Sequence, residues 1–287
     1  MLLASEPAGV PSADAVMARA GGENFPVASR VLPRRLRAHL LAIYGFARLV
    51  DQLGDSGEGD RLQALDSLAE DLDRAFEGRA RNPLLQRLSQ TITDCSLTRE
   101  PFARLIEANR MDQRVSRYET WEELRGYCAL SADPVGELVL MVFGVATPER
   151  VAYSDSICTA LQLIEHSQDV AEDLRAGRVY LPAEDLRRFG CTIGELSAAH
   201  AGEPLRRVIA FEGMRARRLL DEGAPLIGEL RGRARFAVAA FLAGGLAALG
   251  AIERAGFDVL GGAPTASSSR RLFALASVLA RRHPRPA

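Results

Sequence analysis

An all-α fold is what this sequence predicts, as one helical bundle with a central cavity. Three observations carry that reading. Apolar residues recur at intervals of three and four along most of the chain, which is the spacing of a buried helix face. Proline opens several of these periodic segments, where its missing N–H costs nothing. No run of alternating β-branched residues is long enough to make a sheet strand. Composition agrees, since 47 % of the 287 residues are apolar and 25 % are charged. A chain of this length can close a core around an internal space.

Taken in order, the periodicity predicts helices over 37–53, 61–76, 83–93, 101–111, 121–142, 148–174, 204–231 and 233–255. The loops between them are short. Two polar, glycine-bearing stretches, 55–60 and 261–269, are the flexible ones. No low-complexity linker divides the chain, so residues 21–280 are expected to form one domain, between a flexible N-terminal segment over 1–20 and a disordered tail over 281–287. Phe236 to Ile252 is an uncharged run of 17 residues, at the lower edge of membrane-spanning length. It is expected to be a buried helix of the bundle, apolar all round because core surrounds it.

Several function classes are excluded. All 36 basic residues are Arg, so the chain has no Schiff-base lysine and no P-loop lysine. The net charge of −1 provides no field to recruit nucleic acid. Cys95, Cys128, Cys158 and Cys191 form no zinc-type pair. They read as reduced thiols of a cytoplasmic protein, and residues 1–20 lack the features of a secretory signal. The four histidines form no paired metal-ligand spacing.

Two acidic stripes carry the chemistry. In the first predicted helix, Tyr44, Arg48, Asp51 and Asp55 are spaced four, three and four apart and share a face with apolar neighbours. In the sixth, Gln162, Glu165, Asp169 and Asp173, spaced three, four and four, share a face among Leu161, Leu163, Ile164 and Val170. Either stripe alone could be a solvated helix end paired to arginines. Together they suggest two walls of one cavity. Enclosed carboxylate pairs repel themselves unless cations satisfy them, and oxygen-only ligands suit Mg²⁺, which favours one or two carboxylates plus substrate phosphate oxygens. Arg48, Arg178 and Tyr180 could then contact phosphate, or serve equally as ordinary helix and loop residues.

These residues resemble the squalene/phytoene synthase family over about 23–260. The resemblance rests on Asn24-Phe-Pro-Val-Ala-Ser29, Ala42-Ile-Tyr-Gly-Phe-Ala-Arg48, Asp51-Gln-Leu-Gly-Asp55 and Tyr127-Cys-Ala-Leu-Ser-Ala-Asp-Pro-Val-Gly136, then Gln168-Asp-Val-Ala-Glu-Asp173 and Gly177-Arg-Val-Tyr-Leu-Pro182. The first and fifth look like the hydroxysqualene synthase branch of bacterial hopanoid biosynthesis. The resemblance implies an isoprenoid synthase fold, a prenyl diphosphate substrate and Mg²⁺, with Mn²⁺ as a substitute. It places metal aspartates at Asp51, Asp55, Asp169 and Asp173. Substrate-site roles fall on Tyr44, Arg48, Gln162, Glu165, Gln168, Arg178 and Tyr180, with Ala132 and Gly136 lining a prenyl pocket. Peripheral membrane contact and association with neighbouring pathway enzymes are further expectations.

The chain departs from the family pattern at Gln52, where Asp is common, at Glu165, where Asn is common, and at Gln168, where condensing relatives place Arg. Fewer cations and an added acid suit one bound diphosphate better than two. The branch reaction, presqualene diphosphate to hydroxysqualene with capture of water, is therefore expected. Its rivals are condensation of farnesyl diphosphate to presqualene diphosphate or squalene, condensation of geranylgeranyl diphosphate to phytoene, and a non-catalytic homologue acting in binding or assembly.

Overall fold

A computed structural model describes residues 32–56 and 60–281. The motif Asn24–Ser29 and the expected segments over 1–20 and 282–287 lie outside the described residues. Among the described residues the regular structure is helical, and pairing of β type is limited to a single bridge between Arg117 and Val179. The chain divides into two compact units. One comprises Met1–Arg114 with Met141–Gly144, and the other Val115–Leu140 with Val145–Ala287.

The first unit holds α1 (Arg34–Ser56), α2 (Arg61–Phe76), α3 (Pro83–Cys95) and α4 (Arg99–Asp112). Leu49, Leu65, Leu72, Leu85, Leu88 and Ile106 are fully enclosed there. Phe46 meets Phe102 edge to face with centroids 5.1 Å apart, joining α1 to α4 at the geometry aromatic pairs prefer. Local chemistry sets the ends. Asp60 caps α2 by accepting from the Gln63 amide, and Asn82 caps α3 ahead of Pro83. Buried Asp71 accepts from the amides of Arg81 and Asn82, which fixes the turn between α2 and α3.

The second unit contains α5 (Trp121–Ser131), α6 (Asp133–Val142), whose last two residues belong to the first unit, α7 (Pro148–Gln168), α8 (Val170–Arg175) and α9 (Ala183–Arg188). A 3₁₀ turn, Ile193–Ser197, precedes α10 (Glu203–Gly223), α11 (Pro225–Glu229), α12 (Gly232–Arg254) and α13 (Ser268–Ala280). α7 packs along α10. At Gly223 a Cβ would stand 2.5 Å from Ile157 and 2.6 Å from the Tyr153 carbonyl, so only glycine allows that approach. α12 is the apolar segment singled out above. It is long and apolar enough to cross a membrane, yet 61 % of its most apolar window is buried, in keeping with a core helix.

The predicted helix over 148–174 is broken at Asp169, which has φ −100° and ψ 14° between α7 and α8. The Asp169 carbonyl still accepts from the Asp173 amide at 2.8 Å, so the two aspartates keep their one-turn relation across the bend. The predicted helix over 121–142 likewise breaks at Ala132, and that over 204–231 breaks at Ala224, just before Pro225. α9 and α13 were not predicted, being short, rich in charge or serine, and stabilised by partners distant in sequence.

Candidate active site

The acidic end of α1 is built by α1 and α4. Tyr44 is buried, and the Arg48 guanidinium lies 6.0 Å from its ring centroid. Arg48 stands 3.9 Å from Asp51, one turn on. Asp51 also accepts from the Asn109 side chain at 3.3 Å. Gln113, one turn beyond Asn109, donates to the Gly54 carbonyl at 3.0 Å. A Cβ on Gly54 would fall 2.2 Å from the Asn109 side-chain oxygen, so the glycine between the two aspartates lets α4 bring the Asn109 amide to Asp51. Asp55, in the last turn, is exposed.

Asp51 is pushed up to about 6, first by its enclosed position and then by Asp55 and Asp112, against the opposing pull of Asn109 and Arg48. About half of its side chain, 49 %, remains open to solvent. Water therefore screens the push, and its upward direction is the feature that matters.

The second group lies at the α7–α8 bend. Gln162 and Asp169 are half-buried and Glu165 is exposed. Asp169 is held above the usual carboxylate range by desolvation and by Asp173 and Glu172, with His166 opposing. After α8 the chain reverses through Gly177 at φ +80°, a left-handed position that favours glycine. The following segment lies along 116–118, with the Val179 amide donating to the Ser116 carbonyl and the Ala183 amide to that of Tyr118. This brings the Arg178 backbone to the Asp173 carbonyl at 2.8 Å and inserts Tyr180 into a ring cluster. Tyr180 stacks on His166 at 3.9 Å and 11°, and Tyr127 and Tyr118 lie 5.4 and 6.0 Å from it.

His166 is buried and joins three residues of this group. The Gln162 amide nitrogen lies 3.2 Å from its Nε2. Its other ring nitrogen, Nδ1, points the opposite way. That nitrogen faces Asp173 at 3.9 Å.

The remaining sequence candidates have packing partners. Gln168 is buried and donates to the Pro264 carbonyl. Ala132 is buried where α5 ends. A Cβ on Gly136 would stand 2.3 Å from the Ser154 hydroxyl and 2.5 Å from the Cys158 sulfur, so close helix packing takes up the space that its missing side chain leaves. Sequence reasoning missed Asn109, Gln113 and the His166–Tyr180 stack. Gly54, lying between two acids on an apolar helix, was the one available signal of close approach.

A divalent cation fits the donor set. Asp51 and Asp169 each ionise against opposition from a neighbouring aspartate and from desolvation, and a dication relieves both causes together. Among the described residues, no three or more His, Cys, Asp or Glu side chains cluster to hold a metal unaided. Carboxylate pairs that need oxygens from elsewhere match Mg²⁺ sites completed by phosphate.

Comparison with known proteins adds an independent line. The family model for squalene/phytoene synthase matches residues 18–272. A hydroxysqualene synthase of Zymomonas mobilis is 37 % identical over 209 residues, spanning 70 % of this chain and 69 % of that protein. The crystal structure of squalene synthase HpnC from Alicyclobacillus acidocaldarius is 48 % identical, with a TM-score of 0.78 over 84 % of this chain and 92 % of the other. A dehydrosqualene synthase solved with a ligand shares the fold at 23 % identity, with a TM-score of 0.82 over 93 % of each chain. Acid-rich helix ends beside arginines on an all-α frame thus have a family: the chain belongs to the squalene/phytoene synthases, enzymes that process prenyl diphosphates.

Proposed function

We propose that this enzyme converts presqualene diphosphate to hydroxysqualene and diphosphate. The observation that carries the reading is the resemblance to hydroxysqualene synthases, 37 % identical in the Zymomonas mobilis relative. The local charge supports it. Gln168, neutral and paired to the Pro264 carbonyl, and exposed Glu165 leave the α7–α8 bend poor in cations, which suits a single diphosphate.

In this reading Asp51, Asp55, Asp169 and Asp173 hold Mg²⁺, with Mn²⁺ as a substitute. Bound there, the metal supplies positive charge that stabilises the departing diphosphate. Arg48 and Arg178 take diphosphate oxygens, since a guanidinium fork matches phosphate. Tyr44, Gln162 and Tyr180 orient the substrate beside them. The carbon–oxygen bond breaks with its electron pair going to diphosphate, and the cyclopropylcarbinyl cation so formed rearranges with opening of its ring. A water oxygen then adds to carbon and its proton leaves, so that one water is consumed for each diphosphate released. Apolar surroundings keep other water away until that step.

Presqualene diphosphate incubated in ¹⁸O-water should yield hydroxysqualene carrying the label, read by mass spectrometry. Farnesyl diphosphate or geranylgeranyl diphosphate alone should give no condensed product. Efficient condensation of either would overturn the assignment, and unlabelled alcohol would refute water capture.

A further inference from the structure

We propose that Asp258 is a positioning residue of the active site, acting through the connection between α12 and α13 on the bend that carries Asp169. The link begins at Gln168, the last residue of α7. Its buried side chain donates to the Pro264 carbonyl, and Asp169 follows it directly in the chain. No glycine or proline lies between Leu163 and Asp173 to cause the bend. Ser167 loosens the helix there by donating to the Leu163 carbonyl at 2.8 Å. The anchored Gln168 side chain then sets the direction in which the chain leaves α7.

Gln168 can hold the bend only if Pro264 is itself held. Pro264 follows Gly261 and Gly262, the latter at φ +122°, in a stretch whose composition predicts flexibility. Asp258 makes it firm. Its Oδ1 accepts from the Ala201 amide at 2.8 Å and from the Gly261 amide at 3.4 Å. Its Oδ2 accepts from Arg206 at 3.0 Å, and His200 Nδ1 is also 3.0 Å from it. Arg206 in turn donates to the Ala201 and Gly256 carbonyls at 2.7 and 2.6 Å. The chain leaves α12 through Gly256 and Phe257, left-handed at φ +60° and +61°. A phenylalanine keeps that conformation only where its surroundings impose it. Val259, beside Asp258, is buried. α8 packs on the 3₁₀ turn Ile193–Ser197, and the chain running on from that turn supplies His200 and Ala201. The clamp thus borders the bend from that side as well.

The metal role of Asp169 rests on the proposed function, whereas the link to Asp258 stands on geometry apart from it. Hydrogen exchange of the full chain, without metal or substrate, therefore tests the link by itself. Asp258→Ala should quicken exchange about tenfold or more over 259–267 and also over 169–173. Asp258→Asn, which keeps the volume and one acceptor oxygen, should give the same pattern more weakly. Gln168→Met keeps length and cannot donate, so it should quicken 169–173 while 256–261 stays protected. The second readout is Mn²⁺ titrated with inorganic diphosphate and followed by electron paramagnetic resonance. Asp258→Ala and Gln168→Met should each weaken that binding about tenfold, which a merely structural clamp would not do. Loosening of 259–267 that leaves 169–173 as in the wild type would overturn the proposal. So would Mn²⁺ affinity unchanged in both variants, or a bend loosened by Asp258→Ala and untouched by Gln168→Met. If the wild type binds no Mn²⁺ with diphosphate, the metal reading of the aspartates fails, and exchange alone decides the positioning role.

Discussion

At the end of α1, side-chain amides of the α4 end hold Asp51 and the turn around it. Asn109 donates to Asp51, Gln113 ties α4 to the Gly54 carbonyl, and Arg48 is the cation nearby. At the α7–α8 bend the steering group is a ring. His166 stacks on Tyr180 while its two nitrogens face Gln162 and Asp173. Both regions present two aspartates one turn apart, and in both the first aspartate ionises against opposition. The difference lies in what would survive loss of the cation. Amide hydrogen bonds adapt to small shifts, whereas a buried ring sandwich fixes position through packing. The α1 end is thus tuned by charge, and the bend is held by shape.

The largest loss should follow removal of a carboxylate from either region. Asp51→Asn and Asp169→Asn keep volume and lose charge, and each should lower turnover about a hundredfold or more. Neither should lower the melting temperature, since each relieves repulsion within its own pair. Stripping divalent metal with a chelator should abolish turnover in the wild type, and Mg²⁺ should restore it. Full activity in chelator, or near-normal rates in both variants, would leave the aspartates without a metal role.

Changes at His166 should have smaller effects. His166→Phe keeps a ring against Tyr180 and removes both nitrogens, and His166→Ala removes the ring as well. If His166 positions Asp173 through its nitrogen, the Phe variant should need about ten- to hundredfold more Mg²⁺ for half-maximal rate. The Ala variant should in addition lose kcat through movement of Tyr180. On the α1 side Asn109→Ala should raise the Mg²⁺ requirement less, because Arg48 stays beside Asp51. A Phe variant indistinguishable from wild type would assign His166 to packing alone.

The sequence made the two aspartate pairs legible because helical period alone places them, and it made α1 and α7 legible because their apolar faces are long. What it could not show depends on contacts distant along the chain. Asn109 reaches Asp51 across 58 positions and Gln168 reaches Pro264 across 96, and no local pattern encodes either. The bend at Asp169 is invisible for the same reason, since its flanks read as good helix on both sides. α13 opens in a serine-rich stretch and is held by partners such as Arg235, 44 positions from Leu279, so no local pattern marks it. Gly136 shows the opposite hazard, in that a small residue read as room for substrate is occupied by Ser154 and Cys158.

The smallest effect on turnover is expected at a carboxylate outside both regions. Glu212 on α10 is 1 % exposed. Arg215 reaches it at 2.5 Å and Asp185 at 3.0 Å, with its guanidinium 4.6 Å from the Trp121 ring and 4.8 Å from that of Phe211. Burial pushes Glu212 up to about 7 from an ordinary value of 4.5, over the lowering pull of Arg215. The folded protein therefore holds a proton there that the unfolded chain gives up. That stabilisation is complete below the unfolded value and is lost as pH rises through the folded one, because ionised Glu212 and Asp185 then share one guanidinium. The loss is on the order of 3 kcal/mol, so wild-type melting temperature should fall by several degrees between about pH 5 and about pH 8. Glu212→Gln should flatten most of that fall and leave kcat unchanged. Asp51 contributes in the same direction, and added Mg²⁺ separates the two, because a cation at the α1 end would cancel the share of Asp51 alone. If Mg²⁺ flattens the wild-type curve as fully as the Gln substitution does, the pH dependence belongs to the metal aspartates, and Glu212 is merely a buried partner of Arg215.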